Sequence, residues 1–305
     1  MFGKSESLRR FICVAEKGTL HAAAAELGLT QPALTRSIKL LEDEFGAPLF
    51  ERYPRGLRPT ALGERALRHA RHILRECQLA DADMDALRTG DAGSLSVAAG
   101  PIWMSSILPF VIARLHRTYP RFQFQLASIN YSLALAGLQN GELDLLCGGF
   151  QRAESLPSFL VRRELFTVAL RVIARRDHPI LAVPEVGPDD LLSYPWLSYQ
   201  TDVGYLDTIM EPILEQTGRR ASAIVRCESI LTLLALMREG DYLAFLPGSL
   251  ITSSSLWDLQ VVDTNVTDVT FESGMIFRRS LLSNPAFRHL LDLTDERIAT
   301  VIDVG

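Results

Sequence analysis

Residues able to hydrogen-bond to nucleic-acid bases are concentrated in the segment TQPALTRSIKLLEDEF. Placed on a helix, this segment separates into an apolar face and a polar face. The apolar face consists of Leu34, Ile38, Leu41 and Phe45. The opposite, polar face consists of Pro32, Thr35, Arg36 and Lys39, and Gln31 precedes it. Arginine can hold O6 and N7 of guanine together, glutamine can pair with adenine, and a threonine hydroxyl can meet a base edge or a phosphate. The pattern predicts a helix that reads duplex DNA; the alternative is the solvated face of a plain three-helix core.

Two shorter helices are predicted before this segment. The first has apolar residues at helical spacing and ends near Gly18. Thr19 is a suitable N-cap for the second helix, HAAAAEL, which Gly28 stops. Thr30 then caps the third helix, whose first turn tolerates Pro32. A helix, a short turn and a recognition helix form the geometry that enters the major groove of DNA.

The segment PLFERYPRGLRPT predicts a β-hairpin with its turn at residues 54–56. Arg52, Arg55 and Arg58 lie along this hairpin. As the wing of a winged helix-turn-helix, they would bind phosphates or enter the minor groove. The alternative, that they only solubilise an exposed hairpin, fits Arg58 better than Arg52 or Arg55.

The stretch from residue 8 to residue 63 strongly resembles the LysR-type transcriptional regulators, without a gap. The family pattern appears in order as AAAAEL, QPALTRSI, LE at 41–42, FG at 45–46, LFER and TALG. Where the family commonly has serine, this chain has Thr19, Thr30 and Thr35, which keeps the hydroxyl and adds a methyl group. This methyl group could alter base preference at Thr35.

The resemblance implies that residues of the third helix contact DNA, namely Gln31, Pro32, Thr35 and Arg36. This implication favours the DNA-reading interpretation over the plain three-helix core. With the hairpin included, the predicted DNA-binding residues are Thr30, Gln31, Pro32, Thr35, Arg36, Lys39, Arg52 and Arg55.

A helix without proline or glycine is predicted from residue 64 to residue 88. Its apolar residues recur at spacings of four and three, which is typical of a coiled-coil seam. The seam consists of Ala66, Ala70, Ile73, Cys77, Ala80, Met84 and Leu87. The alternative is a single amphipathic helix packed on its own body. The resemblance implies that this helix pairs two subunits, so we expect a homodimer and, from the family, a homotetramer.

His69 and His72 lie three residues apart on the same predicted helix. This spacing suits a pair of metal ligands, but no third ligand stands near them in the sequence. We therefore predict solvated polar positions and no metal site.

From Gly93 the pattern changes to alternating short strands and helices, which predicts an open, mostly parallel α/β sheet. The segments GSLSVAAGP, NGELDL and GDYLAFLPGS resemble the effector domain of LysR-type regulators. The resemblance implies the fold of periplasmic solute-binding proteins, with a ligand cleft between two lobes.

The predicted fold class is therefore α+β and multidomain. It comprises a winged helix-turn-helix that is all-α apart from a small β wing, a long linker helix, and a periplasmic-binding-protein-like α/β effector domain of two lobes. We predict the DNA-binding domain at 1–60, the linker and dimerisation helix at 61–90 and the effector domain at 91–305, with lobe I at about 91–162 and 268–305 and lobe II at about 163–267.

Open α/β sheets bind ligands beyond the carboxyl ends of their strands, where loops meet helix N-termini. The hydrogen-bonding candidates at these places are Ser105, Asn130, Gln200, Thr201 and Ser229, and the aromatic candidates are Trp103, Tyr131 and Tyr199. Each has a structural alternative: Ser229 can simply cap its helix, and Trp103 can fill the core. Helix N-termini favour an anionic effector, such as a carboxylate or a sulfonate.

Composition and charge narrow the class of protein. A hydrophobic content of 48% supports packed cores. The net charge is −5, but residues 1–60 hold nine Lys and Arg against seven Asp and Glu, so a mildly basic head precedes an acidic body. The four cysteines form no CxxC pair, which predicts free thiols. Without a signal peptide or membrane span in the sequence, we expect a cytoplasmic protein without a cofactor.

An enzyme is the main rival class of function. The sequence contains no HExxH, GxSxG or GxGxxG motif, and its six histidines pair with no obvious nucleophile. A solute-binding protein of a transport system is the second rival, but it needs export and would not carry a helix-turn-helix. We therefore predict a promoter-binding transcriptional regulator controlled by a small-molecule effector, with RNA polymerase as a partner expected from the family.

Overall fold

The computed structural model describes residues 5–54, 56–89, 93–128, 131–150, 156–199, 210–211, 213–219, 223–252, 258–264 and 269–301. Three helices and a hairpin come first, one long helix follows, and the remaining described residues form α/β structure. This is the α+β architecture predicted from the sequence: a winged head, a linker helix and an effector domain.

The head contains three helices, α1 (Ser5–Lys17), α2 (Leu20–Glu26) and α3 (Gln31–Phe45). The Thr19 hydroxyl accepts a hydrogen bond from the Ala22 amide at 3.2 Å, as predicted for the N-cap of α2. Thr30 occupies the N-cap position of α3 in an extended conformation, and its hydroxyl makes no capping hydrogen bond. The two caps therefore lie where the sequence places them, but only one uses its side chain.

The apolar face of α3 closes the core of the head. Leu34, Ile38 and Leu41 are buried in one cluster with Phe11 of α1. Phe45, which the sequence places on the same apolar face, is 48% exposed, unlike the other three residues. Phe45 is the last residue of α3, beyond the turns that the other helices cover.

The wing is the antiparallel pair β1 (Phe50–Tyr53) and β2 (Gly56–Pro59). The Leu57 amide donates a hydrogen bond of 2.7 Å to the Gly18 carbonyl oxygen, which fastens the wing to the turn between α1 and α2. Gly56 has a φ of +133°, and a β-carbon at this position would overlap the same carbonyl oxygen. Only glycine permits so close an approach in this conformation.

The linker helix, α4 (Ala61–Thr89), begins slightly before the predicted start. The Thr60 hydroxyl accepts a hydrogen bond from the Gly63 amide at 2.9 Å and donates one to the Pro48 carbonyl oxygen at 3.0 Å. A β-carbon on Gly63 would overlap the carbonyl oxygen of Leu49. These contacts join the first turn of α4 to the segment that leads into the wing.

Nine strands of the effector domain are described, and they belong to one sheet. They are β3 (Ser94–Ala99), β4 (Gln123–Ala127), β5 (Leu145–Gly149), β6 (Leu160–Arg175), β7 (Trp196–Tyr199), β8 (Ala223–Cys227), β9 (Leu243–Pro247), β10 (Leu259–Val261) and β11 (Val269–Arg278). Their order is β4-β3-β5-β11-β6-β9-β7-β8, and β10 pairs with β6. Strands β4, β3 and β5 are mutually parallel, and so are β9, β7 and β8. The long strands β6 and β11 pair antiparallel and join the two groups.

Each parallel group has its own apolar cores, which defines two lobes. The helices of lobe I are α5 (Leu108–Thr118), α6 (Tyr131–Asn140) and α10 (Pro285–Val301). Those of lobe II are α7 (Pro188–Leu192), α8 (Ile230–Glu239) and α9 (Gly248–Thr252). Phe271 on the crossing strand β11 packs against the cores of both lobes.

The predicted seam of α4 is divided between two environments. Ala66 and Ala70 are buried in the core of the head, because α1 packs against this part of the helix. Ile73 and Met84 are 47% and 59% exposed. The side chain of Leu87 lies outside the described residues. Only the later part of the stripe is therefore open to a second chain.

The middle of α4 lies against lobe I of the same chain, which corrects one prediction. Nδ1 of His72 lies 2.6 Å from Nη1 of Arg278, and its ring centroid lies 4.3 Å from that of Phe159. The prediction that His72 is a solvated polar residue is therefore wrong, whereas His69 is exposed. This part of α4 therefore follows the alternative interpretation, in which the helix packs against its own chain.

We expect Gly63→Ala to lower the free energy of unfolding by about 1–3 kcal/mol, because the added methyl group must displace the backbone at Leu49. Denaturant unfolding of the full chain measures the change. Gly100→Ala is a matched control, since its β-carbon would meet neighbours only at 3.9 Å. Unaltered stability of the Gly63 variant would contradict the close packing described for the first turn of α4.

Candidate nucleic-acid interface and effector cleft

The polar side of α3 faces outward beside the wing. Gln31, Pro32, Arg36 and Lys39 are exposed, and Thr35 is half-buried. The Thr35 hydroxyl donates a hydrogen bond of 2.8 Å to the Gln31 carbonyl oxygen. Since the hydroxyl proton is used inside the helix, the Thr35 oxygen is left to accept a hydrogen bond from a partner.

A carboxylate holds the wing on this helix. Oε1 of Glu42 accepts hydrogen bonds from the Leu49 amide at 2.8 Å and from the Phe50 amide at 3.3 Å. Hydrogen bonds to an ionised acceptor are about twice as strong as neutral ones. Because β1 begins at Phe50, Glu42 fixes the position of the wing relative to the polar side of α3.

The helix and the wing border one open groove. Thr35 and Lys39 line it from α3, and Arg52 lines it from β1. Arg58 instead lies over the ring of Tyr53, 5.3 Å from its centroid. This contact agrees with the expectation that Arg58 is less suited than Arg52 to bind DNA. Arg55 lies outside the described residues. The groove thus combines hydroxyl, ammonium and guanidinium groups on one surface.

The carboxyl ends of the parallel strands in the two lobes face each other. Gly149, the last residue of β5, pairs with Ser273 of β11, which in turn pairs with Phe166 of β6. Pro247, the last residue of β9, pairs with Leu170 of β6. Both strands point toward the stretch of β6 between these two residues, which corresponds to about 13 Å at the rise of an extended strand. The crossing strands thus leave a cleft between two carboxyl edges, the usual place for a ligand in such sheets.

One side-chain hydrogen bond spans this cleft. The hydroxyl oxygens of Ser128, which follows β4, and Tyr199, which ends β7, are 2.9 Å apart. Burial raises the pKa of Tyr199, so its hydroxyl stays protonated near neutral pH. This pair connects lobe I to lobe II directly, in addition to the crossing strands.

Two family models cover most of the chain. Residues 5–64 match the model described as bacterial regulatory helix-turn-helix protein, lysR family. Residues 88–299 match the model described as LysR substrate binding domain. This chain belongs to the LysR family of bacterial transcriptional regulators. It is a DNA-binding transcriptional regulator whose action is controlled by a small-molecule effector bound in the C-terminal domain.

Relatives and solved structures of the family are similar over nearly the whole chain. A probable nitrogen assimilation transcriptional activator of Synechococcus elongatus is 27% identical over 292 residues, which cover 95% of this chain and 94% of that protein. Full-length CbnR in complex with its target DNA has a TM-score of 0.65 at 22% identity, covering 96% of this chain and 99% of that one. LysG from Corynebacterium glutamicum with bound effector Arg has a TM-score of 0.67 at 18% identity, covering 97% and 98%. The two structures support the fold.

The effector residues predicted for this LysR-family chain fall into different environments. Trp103 is 1% exposed, and its indole Nε1 donates a hydrogen bond of 3.0 Å to the Ser273 hydroxyl. It therefore fills the core of lobe I, so the prediction that it stacks on a ligand is corrected. Ser105 is exposed in a π-helical turn after β3 and donates a hydrogen bond of 2.8 Å to the Pro101 carbonyl oxygen.

The remaining predicted effector residues are only partly within the described chain. Tyr131 begins α6 and packs partly against the core of lobe I. Ser229 caps α8, accepting a hydrogen bond from the Thr232 amide at 3.2 Å. Asn130, Gln200 and Thr201 lie outside the described residues.

Two functional positions were missed as individual residues from the sequence. The position of Ser128, directly after a strand that ends at the cleft, was a signal that could have identified it. Its partner Tyr199 is distant in the chain, so the hydrogen bond between them could not be predicted. Glu42 belongs to a recognised family motif, yet its two amide partners become visible only in the folded head.

The described residues contain no group of three His, Cys, Asp or Glu side chains suited to hold a metal ion. Their four cysteines are free thiols, as predicted. Among the described helices of this LysR-family chain, none combines the length and apolar character needed to cross a membrane.

We expect Glu42→Ala to weaken binding of DNA by the full chain, because the Leu49 and Phe50 amides lose their charged acceptor and the wing loses its fixed position. A loss of about 1–3 kcal/mol in the free energy of unfolding should accompany it. Glu44→Ala is the control, since this carboxylate on the same helix is exposed and does not line the groove. Equal effects of the two substitutions on DNA binding would argue against a specific role of Glu42.

Proposed function

We propose that this regulator reads its promoter with the polar side of α3 in the major groove and with the wing on the adjacent backbone. Gln31 and Arg36 would contact base edges, and Thr35 a base edge or a phosphate. Arg52 and Arg55 would bind phosphates. Thr30, Pro32 and Lys39 complete the proposed surface. The proposal is supported most by the groove that α3 and the wing border together, with Glu42 holding the two elements in place.

We further propose that the chain acts as a homodimer that can assemble into a homotetramer. Ile73 and Met84 on α4 are exposed and follow the spacing of a coiled-coil seam. The two edge strands of the sheet also carry exposed apolar residues, Leu126 on β4 and Ile224 on β8. Pairing of α4 with its copy would place two recognition helices on a twofold-related DNA site.

The effector is proposed to bind in the cleft between the two carboxyl edges. Ser105 and Tyr199 offer hydroxyl groups there, and α8 begins at Ser229 on the same edge of lobe II. The N-terminus of α8 and the Tyr199 hydroxyl suit an anionic ligand, because helix N-termini and hydroxyl protons stabilise negative charge. The Ser105 proton is already donated to the Pro101 carbonyl oxygen, so the Ser105 oxygen offers a hydrogen-bond acceptor. Closure of the lobes would then change the arrangement of the DNA-binding heads.

Binding rather than catalysis is the proposed mode of action. The relatives matched over most of the chain are described as transcriptional regulators, for example the activator from Synechococcus elongatus. On a promoter, the chain would contact RNA polymerase, as expected for the family. The proposed place of action is the cytoplasm, where the promoter lies.

The proposed function is tested by the affinity of the purified full chain for the DNA upstream of its own gene, measured against random duplex at physiological salt. We expect specific binding to exceed non-specific binding by about a thousandfold or more. No preference for the upstream DNA would contradict the regulator function.

Two arginines should have separable effects on DNA binding. Arg36→Ala should weaken binding to the upstream DNA by about 1–3 kcal/mol and leave random duplex almost unaffected, because a base contact is lost. Arg52→Ala should weaken binding to both duplexes and lower the salt slope by about one, because a phosphate contact is lost. Arg68→Ala, an exposed arginine on α4, is the control. An unaltered footprint of the Arg36 variant would show that α3 does not read bases with this side.

Ile73→Asp should shift the full chain toward monomers by at least about tenfold in dissociation constant, since the substitution buries a carboxylate in the proposed seam. Sedimentation at fixed protein concentration measures the shift. Leu282→Asp is the control, because Leu282 is also exposed but lies outside the seam. An undiminished dimer in the Ile73 variant would contradict pairing through α4.

A further inference from the structure

A cluster of charged and polar side chains joins the linker helix to lobe I. We name Arg75, Glu76, His72, Asp144 and Arg278 the junction cluster. Asp144 and Arg278 are completely buried. Burying charged groups is costly unless each is paired and hydrogen-bonded. The two buried charges of lobe I therefore depend on the partners that α4 supplies.

Asp144 binds α4 through both of its carboxylate oxygens. Nε of Arg75 donates to Oδ1 at 2.7 Å, and Nη2 of Arg75 donates to Oδ2. Oδ2 also accepts a hydrogen bond of 2.9 Å from the amide of Ser96 on β3. A bidentate pair of this kind fixes the direction as well as the distance between two groups.

Arg278, at the end of β11, completes the cluster from the lobe side. Its guanidinium donates to the carbonyl oxygen of Leu138 and, at 2.6 Å, to Nδ1 of His72. Nη1 of Arg278 also lies 3.4 Å from Oε1 of Glu76. Because a guanidinium only donates, His72 must accept at Nδ1. The α4 side of the cluster thus supplies both a carboxylate and an imidazole acceptor to a buried cation.

Apolar packing between α4 and lobe I leaves a cavity beside the cluster. Leu79 contacts the core of lobe I, but a cavity of about 160 Å³ lies between the helix and the lobe. Glu76 and Met84 line it from α4, and Phe122 and Phe287 line it from lobe I. Because a cavity forfeits dispersion contacts, the hydrogen bonds and ion pairs of the cluster add to docking where apolar contact is incomplete.

Arg75 lies on a different side of α4 from Ile73. At 100° per residue, the two residues are about 160° apart around the helix. One turn before Arg75, Arg71 binds Glu16 of the head at 3.1 Å and Glu142 of lobe I at 3.4 Å. The helix can therefore bind lobe I through Arg75 while the side that carries Ile73 pairs with a second copy.

We propose that the junction cluster is the element that positions the DNA-binding heads relative to the effector domain, with Arg75 and Asp144 as its central positioning residues. Lobe I and α4 move as one body as long as the bidentate pair is intact, so a change in lobe closure is passed to the heads. The inference rests on the proposed function, because it requires two heads on one DNA site. It assigns no ligand or DNA contact to the cluster itself.

The test measures how strictly the full chain requires one spacing of its two half-sites. Duplexes from the upstream region carry insertions of up to one helical turn between the half-sites defined by footprinting. An insertion of half a turn should weaken binding by the unsubstituted chain about tenfold or more, and a full turn should restore it. Arg75→Met should reduce this dependence to less than about threefold, because the effector domains then no longer hold the two paired α4 helices, and with them the heads, at one angle.

Arg68→Met is the matched control, being an exposed arginine on the same helix; it should keep the full spacing dependence. If Arg75→Met does not fold, Arg75→Lys decides, since lysine keeps the charge but cannot form the bidentate pair. A folded Arg75 variant with unaltered spacing dependence overturns the inference, and so does an equal loss in the control. Absence of specific binding by the unsubstituted chain would instead contradict the proposed function.

Discussion

The architecture depends on one constraint: a single helix, α4, must complete a core at its start and neutralise buried charges further along. Ala66 and Ala70 fill the core of the head, whereas Arg75 and Glu76 face Asp144 and Arg278 of lobe I. Because both sets of contacts are made by one continuous helix, the rotation of α4 about its axis is fixed by the head and again by lobe I. Ile73, on the side away from Arg75, is left exposed. The geometry of the head relative to lobe I follows from that double requirement.

Within the head, apolar packing orients the polar side of α3, whereas hydrogen bonds to the backbone position the wing. Burial of Leu34, Ile38 and Leu41 decides which side of α3 faces inward, and hence that Arg36 faces outward. The position of the wing depends instead on Glu42 and on the Leu57–Gly18 hydrogen bond. The family motif in this region therefore has two roles. Its regularly spaced apolar residues build the core, and a few of its side chains accept hydrogen bonds from backbone amides.

The effector domain derives its cleft from strand direction. Strands β6 and β11 pass through both lobes, and the parallel strands on either side end facing one another. The Ser128–Tyr199 hydrogen bond crosses the same gap and links the edges at a point away from the crossing strands. The proposed ligand site thus lies where the two lobes are joined.

The sequence by itself determined the local elements and their kind: the three helices of the head, the hairpin, the long helix and the alternating strands and helices. These are encoded by periodicity, caps and turn residues close together in the chain, and the family motifs gave the function. Only the tertiary structure decided what distant residues do. The buried Trp103 donates a hydrogen bond to Ser273, which lies 170 positions away in the chain, and His72 accepts one from Arg278, which lies 206 positions away. Phe45 keeps the apolar period but lies beyond the covering helices. The physical reason is that periodicity fixes which side of an element is apolar, whereas burial and charge pairing depend on which other element comes to lie against it.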